Sequence, residues 1–222
     1  MLKDDTKEAA PIVKRALLNL LAVTVARSPG GSALRTAVGL LYAQAEQLIY
    51  HDELGPRLSD CFELARANNI TQSQLDWVRQ QTALEPTVTL GATMIKEAIM
   101  RLCLVTEGLV IAAMTFVSRA DVEQLRGQLN FIFEDAEETA ADNMDQMGYR
   151  TLVELHAAIV AFLVETARPL PSMLDFAFFS PMPTLTMANR LYYDGSRADE
   201  LLYENKVVHP AFMRPTGRAL SL

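Results

Sequence analysis

The stretch GATMIKEAIMRLCLVTEGLVIAAMTF, residues 91–116, decides the fold class of this chain. It follows Pro86, and apolar residues cover most of its circumference when it is drawn as a helix. A broad apolar face of this kind is typical of a helix at the centre of a bundle. Its most apolar part, residues 102–117, is interrupted by Glu107 and falls short of the roughly 18 apolar residues of a membrane-spanning helix. The pattern therefore predicts a soluble helical bundle.

Further helices are predicted on the N-terminal side of this segment. Apolar residues recur at three- and four-residue steps over residues 6–27, 32–50 and 58–65. Between the first two, SPGGS at residues 28–32 predicts a flexible break. Thr71 and Gln74 have the spacing of a capping box and predict that another helix begins there.

On the C-terminal side, the tetrapeptide SRAD occurs at residues 118–121 and again at 196–199, and each copy suits a helix start. The flanks of the two copies differ, so we do not interpret them as an internal repeat. Gly148 predicts a break before a helix over residues 152–166.

Prolines bracket the next segment and predict the domain boundary. Residues 169–180 form a linker or strand between a helical bundle domain, residues 1–168, and a small C-terminal module, residues 181–222. The fold class is thus mainly α, with a helical bundle followed by a small α+β module that ends in an edge strand over residues 218–222.

Composition restricts the functions that this chain can have. Half of its 222 residues are apolar, which excludes wholesale disorder. The formal net charge of -7 repels polyphosphate and makes nucleic acid an unfavoured partner. The N-terminus lacks the basic-then-apolar order of a signal peptide. Cys61 and Cys103 stand outside any CxxC or Cys/His spacing and are interpreted as reduced core residues.

No motif for catalysis is evident. The acidic run EDAEE at residues 134–138 lacks the alternating ligands and central glycine of a calcium loop and is interpreted as a solvated helix face. His51, His156 and His209 are far apart in the sequence, and His156 is expected to be a hydrogen-bonded core or interface residue. There is no GxSxG, Walker or dinucleotide motif. We therefore expect a protein that is not an enzyme, with no cofactor and no metal.

The segment PMPTLTMANRLYYDGSRADELLYENKVVHPAF, residues 181–212, carries a recognisable order of residues. An alanine-bearing helix is followed by Leu-Tyr, an aspartate at a turn, Ser-Arg-Ala, an acidic-apolar helix, Asn, a basic residue and His-Pro-Ala-Phe. This order resembles the C-terminal end of the phage Mu-type "DNA circularisation" proteins, which are tail or baseplate components of contractile-tailed phages. The resemblance covers about a fifth of the chain.

The same segment resembles a reduced LysM module, a fold with two helices and a final Gly-x-x-Leu strand. Asp194 and Gly195 are expected to make a tight turn, Ser196 to cap the next helix, and Asn205 to adopt left-handed geometry at its end. His209, which precedes Pro210, is expected to pack on the module. The predicted small core consists of Leu191, Tyr192, Leu201, Leu202 and Phe212.

The resemblance implies a virion structural protein at or near the baseplate, which is present in the host cytoplasm during assembly. Its partners would be other tail or baseplate proteins and further copies of itself in a symmetric ring, with no membrane involved. Two alternatives stay open. One is a peptidoglycan- or glycan-binding anchoring module, and the other is a DNA-end-binding protein.

Overall fold

The computed structural model describes residues 3–24 and 29–221. Within these residues the chain is mainly helical and has one small antiparallel sheet near the C-terminus, which confirms the predicted fold class. The chain divides into two compact units, residues 1–114 and 115–222. This division falls at a different place from the domain boundary that the sequence predicts after residue 168, which stays a prediction.

The first unit is a bundle of five helices among the described residues: α1 (Lys3–Val23), α2 (Pro29–Tyr50), α3 (Leu54–Ala67), α4 (Gln72–Ala83) and α5 (Leu90–Ala112). The apolar segment at residues 91–116 supplies α5, which packs against α1, α3 and α4. Its buried side chains include Ala92, Ile99 and Cys103, which belong to the core that all five helices build.

The starts of α2 and α4 test two of the predictions. Both hydrogen bonds of the capping box are present, because Thr71 Oγ1 accepts from the Gln74 N–H at 3.3 Å and Gln74 Oε1 accepts from the Thr71 N–H at 2.8 Å. The predicted break at residues 28–32 is wrong for residues 29–32. The helix α2 begins at Pro29, where a proline is favourable because a first-turn residue needs no N–H donor. Residue 28 lies outside the described residues.

The N-terminus of α5 is held by α1. The carboxylate of Glu8 accepts the backbone N–H groups of Val88 and Thr89, at 2.6 and 2.9 Å. These hydrogen bonds, with one from the Thr89 side chain as the largest cause, lower the pKa of Glu8. Close by, Arg15 pairs with Glu85 at 2.8 Å. Side chains of α1 therefore fix the loop that leads into the central helix.

The second unit begins with a hairpin of two long helices, α6 (Arg119–Asp142) and α7 (Gln146–Ala167). Ser118 caps α6 as predicted, because its Oγ accepts from the Asp121 N–H at 3.2 Å. The prediction of a break at Gly148 is wrong. The turn lies at Met144, which has a φ of 54°, and Asp145 caps α7 by accepting the Gly148 N–H at 2.9 Å.

A strand–helix–helix–strand segment completes the second unit: β1 (Met173–Ala177), α8 (Thr184–Tyr192), α9 (Ala198–Glu204) and β2 (Thr216–Leu220). The strands pair antiparallel, from Met173 opposite Leu220 to Ala177 opposite Thr216. Within the segment 169–180, which the sequence left as a linker or strand, residues 173–177 form a strand. Of the predicted final strand, residue 222 lies outside the described residues.

Candidate functional site

The residues that the sequence singled out lie together in what we call the C-terminal module, residues 173–221. Its two helices and two strands enclose a core of their own. The buried members of that core are Met187, Ala188, Tyr192, Leu201, Met213 and Ala219. Because the buried residues of α8, Thr184, Met187, Ala188 and Tyr192, recur at steps of three and four, one face of the helix lies on this core and the other is exposed.

The turn between α8 and α9 differs in detail from the prediction. Tyr193, with a φ of 58°, is the left-handed residue that ends α8. Asp194 Oδ1 accepts the Ser196 N–H at 2.8 Å, so Asp194 is the cap and the expected capping role of Ser196 is wrong. A single 3-10 turn, Gly195–Arg197, precedes α9, which moves the helix start past Ser196. Hydrogen bonds from the Ser196 side chain and backbone lower the pKa of Asp194.

Tyr192 is locked in place by an ion pair. The Arg197 guanidinium lies 3.8 Å from the centroid of the Tyr192 ring and donates two hydrogen bonds to the Glu200 carboxylate, at 2.7 and 3.1 Å. A guanidinium over an aromatic face is attractive, and the bidentate pair fixes its orientation. Leu191 is half-buried against the same core. The predicted core positions of Tyr192 and Leu201 are therefore confirmed. Leu191 packs against the core from its margin, and Leu202 is half-buried without being part of it.

Asn205 joins the end of α9 to the final strand. Its amide nitrogen donates to the carbonyl groups of Leu201 and Arg218, at 2.9 and 2.7 Å, and its amide oxygen accepts the Arg218 N–H at 2.8 Å. The side chain thus pairs with β2 as a neighbouring strand would. The expected left-handed geometry of Asn205 is wrong, because its φ is -96° and Lys206 takes the left-handed position instead, with a φ of 49°.

Gly217 is a site residue that the sequence reasoning missed. A Cβ at this position would collide with the amide oxygen of Asn205 and come within 2.8 Å of the Phe176 ring. A glycine inside a strand pattern indicates close approach of another group, and that signal was present in the sequence. Only glycine allows Asn205 to reach the β2 backbone.

The segment before β2 is positioned by its carbonyl groups. The Pro210 carbonyl accepts from the Thr184 N–H and hydroxyl, at 2.7 and 2.8 Å, which ties the segment to the start of α8. The His209 ring lies 5.5 Å from the Phe212 ring. The prediction that Phe212 fills the core is wrong, since it is 76% exposed and the neighbouring Met213 is buried instead. Successive side chains of extended backbone point to opposite sides, so only one of these two neighbours can face the core. Met213 pairs with Met182 in an isolated β-bridge, and its side chain is the one that faces inward.

The outside of the module carries many large apolar side chains that the rest of the module leaves exposed. Their exposed fractions exceed half in each case. They are Leu174, Phe179, Leu185, Tyr193, Tyr203, Val208 and Phe212. Aromatic side chains on a surface are typical of protein interfaces and of sugar-binding surfaces.

A buried carboxylate lies in the first unit. The Glu107 side chain on α5 is fully buried, and neither of its oxygens has a hydrogen bond of good geometry. Burial raises its pKa to about 8, against the opposing charge of Arg79 and a weak contribution from Gln72. Arg79 itself pairs with Asp76 at 2.6 Å. Glu107 is therefore a neutral acid at pH 7.

His156 is hydrogen-bonded within the α6–α7 hairpin, as the sequence predicted. Its Nδ1 lies 3.0 Å from Glu137 Oε1, and its Nε2 lies 3.0 Å from Asn130 Oδ1. The ring stacks on Phe133 at 4.9 Å. Both ring nitrogens therefore have partners within the hairpin, and the arrangement ties α6 to α7.

No group of three or more His, Cys, Asp or Glu residues that could hold a metal ion occurs over residues 3–24 and 29–221. Cys61 and Cys103 are buried and unpaired. Burial raises the pKa of Cys61 to about 11 and that of Cys103 further still, so both are neutral thiols.

Among the described helices, α7 is long and apolar enough to cross a membrane by length and composition alone. A single helix of this kind is weak evidence, because helices of soluble proteins pass the same test. Comparison with known proteins adds no assignment: no family model and no curated protein matches the chain.

Proposed function

We propose that this protein is a structural subunit of a contractile phage tail or a tail-derived particle, at or near the baseplate. In this proposal it acts through protein–protein contacts during assembly. The observation that carries the proposal is the resemblance of residues 181–212 to the end of Mu-type tail proteins. The compact core of the C-terminal module supports it, because Met187, Ala188, Tyr192 and Leu201 of the resembling segment are buried in that core.

The surface of the module supports a role in docking. Phe212, Tyr203 and Val208 are 76%, 80% and 100% exposed, although nothing in the fold requires apolar side chains there. Exposed apolar groups of this size are a liability in a free subunit and an advantage in an assembled one. The module in this proposal binds the tube, sheath or hub through this surface.

The direct test is mass spectrometry of density-purified particles from the source phage or an induced lysogen. Peptides of this chain are counted against those of the tube protein. A fixed low ratio supports a baseplate or terminator-type component. Absence of the chain from purified particles rejects the virion role.

A surface variant tests the docking step. Phe212→Ser removes an exposed ring and leaves the core intact, so we expect a folded protein that enters particles less often. Val88→Ser is the matched control, because Val88 is 93% exposed but belongs to the first unit. Equal incorporation of both variants counts against docking through the module.

A second candidate function is glycan binding. The two helices and the final strand that the LysM-like resemblance implies are present as α8, α9 and β2, and β2 pairs with β1. The full chain is mixed with purified peptidoglycan and sedimented, and Phe212→Ser is treated in the same way. Co-sedimentation that the variant loses favours an anchoring module over an assembly subunit. The DNA-end-binding alternative has only the family's name in its favour, and a gel shift at low salt tests it.

A further inference from the structure

A basic cleft lies at one end of the α6–α7 hairpin. The cavity, of about 240 Å³, is formed by the first turns of α6 and the last turns of α7. Arg119, Arg126 and Arg168 line it together with the carboxylate of Glu123. The rest of its lining is apolar and consists of Val122, Leu163, Val164 and Ala167. Guanidinium groups beside apolar surface suit a carboxylate that is accompanied by an apolar side chain.

The arginines of this basic cleft keep donors available. Arg119 uses one nitrogen to donate to the Arg168 carbonyl at 3.3 Å. Arg168 pairs with Glu165 at 3.3 Å, and the two side chains are 70% and 66% exposed. Exposed ion pairs contribute little and exchange readily. A guanidinium has five N–H donors, so an incoming carboxylate finds unused ones.

The opposite end of the hairpin has the complementary chemistry. Residues 127–149 contain six acidic residues and no lysine or arginine. We call residues 134–147 the acidic tip. Its exposed carboxylates are those of Glu134, Asp135, Glu138 and Asp142. At the turn, Met144 and Met147 are 91% and 83% exposed, so acidic and large apolar groups lie side by side.

The turn end of the acidic tip cannot reach the basic cleft of its own molecule. The helix α6 has 24 residues between the two ends. At a rise of about 1.5 Å per residue, Asp142 near the turn lies roughly 24 Å along this rigid helix from the cleft residue Arg126, and Glu134, where the tip begins, lies roughly 12 Å from it. A contact between the turn end of the tip and the cleft must therefore form between two molecules.

We propose that the acidic tip of one copy of this chain binds the basic cleft of a second copy. The contact is head-to-tail, because it joins the tip of one copy to the cleft of the next. Two copies joined in this way therefore still have one unused tip and one unused cleft. Such heterologous contacts close into a ring or continue into a filament, depending on the rotation between neighbours. The cleft is smaller than the volumes of about 300 to 1,000 Å³ that are usual for small-molecule sites, which favours side chains as its occupant. The inference rests on the hairpin alone and does not depend on the tail assignment.

Charge reversal tests the proposal on the full chain. Arg126→Glu makes the cleft less basic, and Asp142→Arg makes the tip less acidic. The double variant carries both changes and restores complementarity between neighbours, since each contact pairs one reversed cleft with one reversed tip. Lys7→Glu, an exposed change of equal charge in the first unit, is the control. Circular dichroism checks that every variant is folded.

Sedimentation velocity over a range of concentrations and salt is the measurement. We expect the wild-type protein to self-associate at low salt, each single variant to weaken association by about tenfold or more, and the double variant to recover it. High salt should weaken the wild type as well. A wild-type chain that stays monomeric overturns the proposal, and so does a double variant no better than the singles. Binding of inorganic phosphate without self-association also overturns it. Absence from purified particles leaves this contact intact and rejects only the tail assignment.

Discussion

Because of Glu107, we expect this protein to become less stable as the pH rises toward about 8. The carboxyl group is fully buried on α5, and its pKa is raised from 4.5 to about 8 by burial. Arg79 lowers this pKa and Asp76 raises it, while Cys103 on the same helix is a neutral thiol. The folded protein therefore keeps a proton on Glu107 that the unfolded chain releases.

The sign and size of the effect follow from this difference. Because the folded state binds the proton more tightly, the contribution of Glu107 to stability is fully present below pH 4.5 and is lost as the pH rises to about 8. At about 1.36 kcal/mol per pH unit, the loss over this window is on the order of 5 kcal/mol. A change of this size is a large part of the stability of an ordinary domain.

Glu107→Gln replaces the neutral acid by a neutral side chain of the same shape. We expect wild type and variant to unfold at similar urea concentrations near about pH 5, and the wild type to become less stable than the variant by several kcal/mol near about pH 9. Urea unfolding followed by circular dichroism at each pH gives the difference. Glu53→Gln, an exposed change in the same unit, is the control and should follow the wild type. Parallel pH profiles for wild type and Glu107→Gln would refute the reasoning.

Three further predictions concern stability. Glu8→Gln should lower Tm at neutral pH, because the Glu8 carboxylate accepts two N–H groups at the start of α5. Since folding lowers the pKa of Glu8, the difference in Tm between wild type and variant should disappear in thermal melts as the pH falls below 4.5. Gly217→Ala should unfold the C-terminal module, which hydrogen exchange detects as faster exchange of its amide groups. Gly39→Ala is the contrasting variant, because a Cβ there enters open space within α2, and it should stabilise the chain by about 0.5–1 kcal/mol. Met213→Ala should cost about 2–5 kcal/mol in urea unfolding, and Phe212→Ala should cost little, so an equal loss from both would contradict the assignment of Met213 to the core.

The success of the sequence reasoning depended on how local each signal was. Helix type and helix caps are local, because a capping box needs only residues three apart and an apolar face needs only its own period. Thr71 and Ser118 therefore cap the helices that they were expected to cap. The same prediction was wrong for the second SRAD copy. Its Ser196 does not cap a helix, because the side chain of Asp194, nearer the turn, accepts the Ser196 N–H and acts as the cap.

The candidate site shows the same division. The order of residues in the segment 181–212 indicated a small module, and the structure agrees with an α+β fold there. The sequence could not tell whether residues 169–180 form a linker or a strand. That choice depends on pairing with residues 216–220, about forty positions further along the chain, and no local pattern encodes such a partner.

By itself, the sequence determined that this chain is mainly helical with a small α+β part near the C-terminus, and it located the starts of α4 and α6. Only the tertiary structure decided which side of the extended segment faces the core, so that Met213 is buried and Phe212 is exposed. The same holds for the depth at which Glu107 lies. Local patterns record the preferences of neighbouring residues, whereas burial depends on which distant surfaces meet, and that is a property of the folded chain.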